Sequence, residues 1–141
     1  MPVTSPILAP VVALIAWSML IWLWMYVTRI PAMSKLRMQL DPNAPRGEQM
    51  SQLPAAVRWK ADNYNHLMEQ PTLFYAICLT LALLGLGGGS NLALAWAYVG
   101  LRVLHSLVQV LINRIEVRFV LFILSSLMLL GLIYNAAVAL W

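Results

Sequence analysis

This chain has little charge. No charged residue occurs in 1–28, 70–101 or 119–141, and charged residues make up only 10% of the sequence while 62% is apolar. Soluble domains are about a quarter charged and half apolar, so a water-facing globular fold is excluded. Each charge-free run exceeds the roughly 20 residues that cross a bilayer as a helix. Cysteine is scarcer still: Cys78 stands alone in an apolar run, so an internal disulfide is impossible and the thiol is expected to pack. No basic residue precedes the first apolar run, and no small-residue cleavage pattern precedes Arg29. That run is expected to be a permanent helix rather than a cleaved secretion signal.

The expected architecture is all-α, an integral membrane four-helix bundle forming a single domain over 1–141, with helices at about 7–28, 54–84, 92–112 and 117–140. Pro31 is a plausible stop for the first helix, and Pro54 is tolerated in the first turn of the second. The middle charge-free run breaks at Gly85-Leu86-Gly87-Gly88-Gly89, and Ser90 or Asn91 is placed to cap the helix that follows. Between the first two helices lies the one long hydrophilic connection, whose Asp41-Pro42-Asn43-Ala44-Pro45-Arg46-Gly47 is turn chemistry.

Arg29, Lys35, Arg37, Arg46, Arg58 and Lys60 flank that loop, and Arg114 and Arg118 flank the connection between the last two helices. The termini and the 85–91 turn carry no Lys or Arg. The positive-inside rule then puts both charged loops in the cytoplasm and both termini on the other side. The basic residues set topology, and nucleic acid is not expected as a partner.

Two polar stripes interrupt the apolar helices. Arg58, Asp62, Asn65 and Glu69 fall within about 60° of one another on the second helix, widened by His66. On the third, Arg102, His105, Ser106, Gln109 and Asn113 fall within about 100°. Arg102 lies deep in its span, where a charge costs from about 2.5 to more than 10 kcal/mol and must face protein, water or an opposite charge. Glu69 lies at a similar depth in an antiparallel hairpin, so it is expected as the counter-charge of Arg102 or the hydrogen-bond partner of His105. Facing stripes of this kind would line a cationic cavity where an anionic, water-soluble molecule meets an apolar one.

With Asn65-His66-Leu67-Met68-Glu69-Gln70-Pro71, Arg102-Val103-Leu104-His105 and Asn113-Arg114-Ile115-Glu116-Val117-Arg118-Phe119 in view, the chain resembles the MAPEG family over nearly its whole length. These are membrane-associated proteins in eicosanoid and glutathione metabolism, which include microsomal glutathione transferases. The resemblance implies a homotrimer of the bacterial type, and so one in a bacterial inner membrane. It implies glutathione as co-substrate near the cytoplasmic side, and a lipophilic small-molecule substrate arriving from the surrounding lipid. It implies Arg118 as the catalytic residue that stabilises the glutathione thiolate. Asn65, His66, Glu69, Arg102, His105, Gln109 and Arg114 are the implied glutathione-binding residues. The chain departs from the family pattern at Asp62, where an arginine is usual, at His66, where an asparagine is usual, and at Gln109, where a tyrosine is common.

The leading expectation is a glutathione-dependent transferase or peroxidase for lipophilic electrophiles, in which no metal is required. The alternative is a non-catalytic member binding a lipid or another anionic ligand. A small proton-coupled exporter would call for an acidic residue inside the first helix, and none is there. Trp17, Trp22, Trp24, Tyr26, Tyr134 and Trp141 are read as interfacial aromatics, and Tyr75, Phe119 and Phe122 as packing residues.

Overall fold

A computed structural model describes residues 4–141 as helices joined by turns, with no strand among the described residues. The helices are α1 (Leu8–Lys35), α2 (Ala55–Leu67), α3 (Pro71–Leu83), α4 (Gly89–Leu111) and α5 (Ile115–Leu140), with one short 3₁₀ turn at Met50–Gln52. α2 and α3 are the two parts of one interrupted helix, so the chain is an all-α four-helix bundle. α1, α4 and α5 are each long and apolar enough to cross a membrane.

α1 runs past Pro31 instead of stopping there. Proline removes a single N–H from the ladder, and this ring sits on the exposed side of the helix, where its bulk meets no neighbour. The helix ends at a left-handed residue, Arg37 (φ 48°), with the Met38 N–H reaching back to the Met33 carbonyl at 3.1 Å. That 6→1 closure satisfies a carbonyl the helix leaves free. Beyond it, Asp41 accepts from the Asn43 N–H at 2.9 Å, and the Gln49 amide bonds the Asp41 N–H and the Gln39 carbonyl, tying the loop together.

The segment expected as one helix over 54–84 is interrupted at Met68–Gln70. Pro71 has no N–H to give the Leu67 carbonyl, and the local bonds tighten to Glu69 N–H on His66 O and Thr72 N–H on Glu69 O, both 3.3 Å. Gln70 holds the break in place: its amide donates to Ser126 Oγ at 2.9 Å, and its oxygen accepts from the Tyr98 hydroxyl at 3.1 Å.

α3 closes with Gly85 in the left-handed region (φ 73°), which lets the Leu86 N–H return to the Leu81 carbonyl. Neither Ser90 nor Asn91 caps α4, which begins a residue earlier at Gly89 without a side-chain cap. Asn91 is engaged elsewhere, donating to the Leu86 carbonyl and accepting from Asn135 of α5.

α4 is the helix around which the others pack. Ala95, Tyr98, Val99, Arg102, His105, Ser106, Gln109 and Val110 are all buried along it. Phe74 stacks on Tyr98 at 4.4 Å, and Leu14, Ile21, Leu67, Leu81 and Leu132 complete a core closed to solvent. The outward faces of α1 and α5 are apolar, with Leu23, Val27, Leu127, Leu130 and Val138 more than half exposed. Such surface is stable only against lipid or another protein.

Candidate functional site

α2 turns a different face inward from the one its strongest stripe suggests. Lys60, Asn63 and Leu67 are buried, and they lie on roughly the opposite side of the helix from Arg58, Asp62, Asn65 and Glu69, which are exposed. His66 falls at the border and is half-buried. The expected Glu69–Arg102 pair is therefore not formed. Glu69 sits in the break on the outer surface, while Arg102 Nη2 is 2.7 Å from His66 Nδ1 and 3.4 Å from the His66 carbonyl. Arg102 Nε and Nη1 and His105 Nδ1 have no hydrogen-bond partner, Arg102 Nη2 is taken by His66, and no hydrogen bond joins Glu69 to Arg102 or His105.

The α4 stripe is buried as its depth requires, but only part of it reaches open space. Arg102 is 0% exposed and stands behind His66. Gln109 is taken up by Asn63, whose amide donates to its oxygen at 2.9 Å. His105 stacks on His66 with ring centroids 4.7 Å apart and planes 26° from parallel.

The two imidazoles line a cavity of about 310 Å³ together with Ile115, Arg118, Phe119 and Phe122 of α5. Arg118 is brought there by the end of α4. Asn113, left-handed at φ 54°, turns the chain between the helices and accepts a hydrogen bond of 2.6 Å from Arg118 Nη1. Asparagine is among the few side-chain-bearing residues that adopt this conformation readily. With one edge of the guanidinium fixed, Arg118 Nε is left buried and without a partner. Phe122 lies edge-on to His66 at 5.5 Å and under the Arg102 guanidinium at 5.8 Å, bridging the buried and open parts of the cluster.

Of the residues expected at the site, the structure gathers His66, His105 and Arg118 around the cavity and places Arg102 just behind it. Gln109 is bonded to Asn63, Arg114 is exposed, and Asn65 lines a second cavity. That second cavity, of about 380 Å³, lies between the loop and α2 and is walled by Arg29, Arg46, Arg58, Ser51 and Asp62 as well. Arg29 Nε is buried there without a partner. Reading the loop arginines only as topological anchors missed this cluster, and reading Phe119 and Phe122 as packing missed their place in the first cavity's wall. Asn113 was also missed as the tether of Arg118, although a turn-forming residue five positions before a helix-initial arginine is a signal for it.

The first cavity combines one permanent cation, two imidazole edges and an aromatic and aliphatic wall. That set suits a sulfur or oxygen bearing negative charge beside an apolar group, since a guanidinium and ring N–H groups stabilise charge that the hydrocarbon side cannot. A comparison with protein families matches residues 7–138 to the MAPEG family. No curated protein and no solved structure matches the chain.

Proposed function

The chain belongs to the MAPEG family, and from that premise we propose that it is a membrane-embedded, glutathione-dependent transferase or peroxidase acting on lipophilic electrophiles. Membership itself supports a membrane protein of glutathione-related or eicosanoid-type function. The observation that carries the narrower reading is Arg118, held by Asn113 with Nε unpartnered, beside His66 and His105 in one cavity. A thiol entering there finds a fixed cation where its thiolate forms. Lowering a thiol pKa by about two to three corresponds to about 3 to 4 kcal/mol and ionises most of it at pH 7.

Assembly as a homotrimer follows from the family reading, and the exposed polar residues Arg58, Asp62, Asn65 and Glu69 are available to meet another copy. Asn65 and His66 open onto different cavities on either side of α2. In this reading both charged loops face the cytoplasm, glutathione enters from that side, and the electrophile arrives past Phe119 and Phe122 from the lipid.

One observation favours a second reading. The cavity walled by Arg29, Arg46 and Arg58 can hold an anionic ligand without any thiol chemistry. A non-catalytic member that binds a lipid or other anion would need that cavity only. Calorimetric titration with glutathione in detergent, run beside a conjugation assay on a panel of small electrophiles, separates the two. Saturable binding with turnover supports the enzyme. A protein that binds no glutathione and turns over no electrophile removes it in favour of the anion-binding member.

A further inference from the structure

Arg102 does not reach the cavity, yet it decides what the cavity presents. We propose that Arg102 is a positioning residue that locks His66 in its Nε2–H tautomer, so that His66 meets a ligand only as a hydrogen-bond donor.

A guanidinium carries five donors and no acceptor. Its 2.7 Å contact with His66 Nδ1 therefore requires a lone pair on Nδ1, which puts the ring proton on Nε2. The demand runs in both directions. Arg102 is 0% exposed, its Nε and Nη1 have no partner, and its remaining contact, to the His66 carbonyl, is longer at 3.4 Å. Nδ1 is thus the one close acceptor this buried cation has, and a proton there would set N–H against N–H in a closed interior.

The ring has little freedom to turn away. It is stacked on His105 and held edge-on by Phe122. His66 lines the cavity and Arg102 does not, so the guanidinium occupies the inner edge of the imidazole and leaves the Nε2 edge to the ligand. The groups around His66 are Arg102 and His105 from α4, Arg118 from α5 and Glu69 from the break that follows α2. The first three add donors or positive charge on the bundle side.

An asparagine at this place offers a donor and an acceptor, whereas a locked imidazole offers the donor alone. At His66 the cavity is therefore matched to atoms with a free lone pair: a thiolate sulfur, a peroxide oxygen or a carbonyl oxygen. Identifying that atom as the sulfur of glutathione rests on the proposed function; the tautomer does not.

The test needs no ligand. The chain has two histidines, so ¹⁵N-histidine labelling in lipid nanodiscs gives two ring patterns that a single His66→Asn spectrum assigns. In the unmodified protein His66 should show a protonated Nε2 and an unprotonated Nδ1 as a single form. A protonated Nδ1, or an average of two tautomers, overturns the proposal. Arg102→Met should release the ring into a mixture, and retention of the single Nε2–H form overturns the role of Arg102. Glutathione titration then examines the donor: His66→Gln should bind within about threefold of the unmodified protein, and His66→Leu at least tenfold more weakly. Equal affinities for these two variants would also overturn the proposal. If the unmodified protein binds no glutathione, the enzyme reading fails while the nitrogen spectra still decide the tautomer.

Discussion

Replacing Arg118 separates its charge from its geometry. Its guanidinium spends Nη1 on Asn113 at 2.6 Å while the side chain lines the cavity, so it can be anchored and present its charge there at once. Lysine retains the charge but has a single nitrogen, which must choose between the tether and the ligand. A cation about 4 Å from a thiolate, at an effective dielectric near 20, contributes about 4 kcal/mol, or about three in pKa. Without it, a thiol of pKa about 8.5 is only a few per cent ionised at pH 7. Arg118→Ala should therefore lose about thirtyfold in turnover, about 2 kcal/mol, and Arg118→Lys at least about tenfold, roughly 1.4 kcal/mol. The sign with pH is fixed as well. The alanine variant should recover as pH rises towards 8.5, because hydroxide then does what the proposal assigns to the arginine, while the unmodified protein should change little over the same range. Conjugation rate and the ultraviolet absorbance of bound thiolate, followed together from pH 6 to 9, check this. An alanine variant with unchanged rate and thiolate signal at pH 7 refutes the assignment, and Arg114 becomes the next cation to examine.

Asn113→Gly should preserve the left-handed turn yet lower turnover several-fold through loss of the Arg118 tether, whereas Asn113→Ala should also lose about 1 to 2 kcal/mol of stability; thermal unfolding beside activity distinguishes them. Tyr98→Phe removes the donor to Gln70 at 3.1 Å and should cost about 1 to 3 kcal/mol in detergent unfolding, with glutathione affinity unchanged. Native mass spectrometry in mild detergent should show a dominant homotrimer, and a dominant monomer or dimer would count against a site shared between subunits. Cysteine placed at Ser34 or Ser51 in a Cys78-free background should resist impermeant maleimide in intact cells, and ready labelling would invert the topology.

The sequence made the spans legible because the energetic rule is coarse: over about 20 residues, absent charge is enough to predict a lipid-facing helix. It also made the inward face of α4 legible, since Arg102, His105, Ser106 and Gln109 have one affordable direction in a bilayer. The inward face of α2 was not legible. Polar residues occupy both of its sides, Lys60, Asn63 and His66 on one and Arg58, Asp62, Asn65 and Glu69 on the other, so periodicity favoured the more charged row and misplaced Glu69. Two of the helical prolines show the same limit. Pro31 and Pro71 each remove one N–H, yet α1 continues through the first and a new helix starts at the second. What differs is tertiary: Gln70, just before Pro71, is bonded to Ser126 and Tyr98, while Pro31 lies on an exposed face.

The interruption at Met68–Gln70 divides responsibilities within one helical passage. The thirteen residues of α3 are constrained by the Phe74–Tyr98 stack, and α2 by the two cavities it borders. Pinned at Gln70, neither half dictates the rotation of the other. Substitutions that alter the cavity walls, at Asp62 or His66 for example, can thus be made in α2 while α3 keeps its register. The seam gives this bundle a cavity-facing segment joined to a packed one, so changes in α2 should disturb the packing of α3 little.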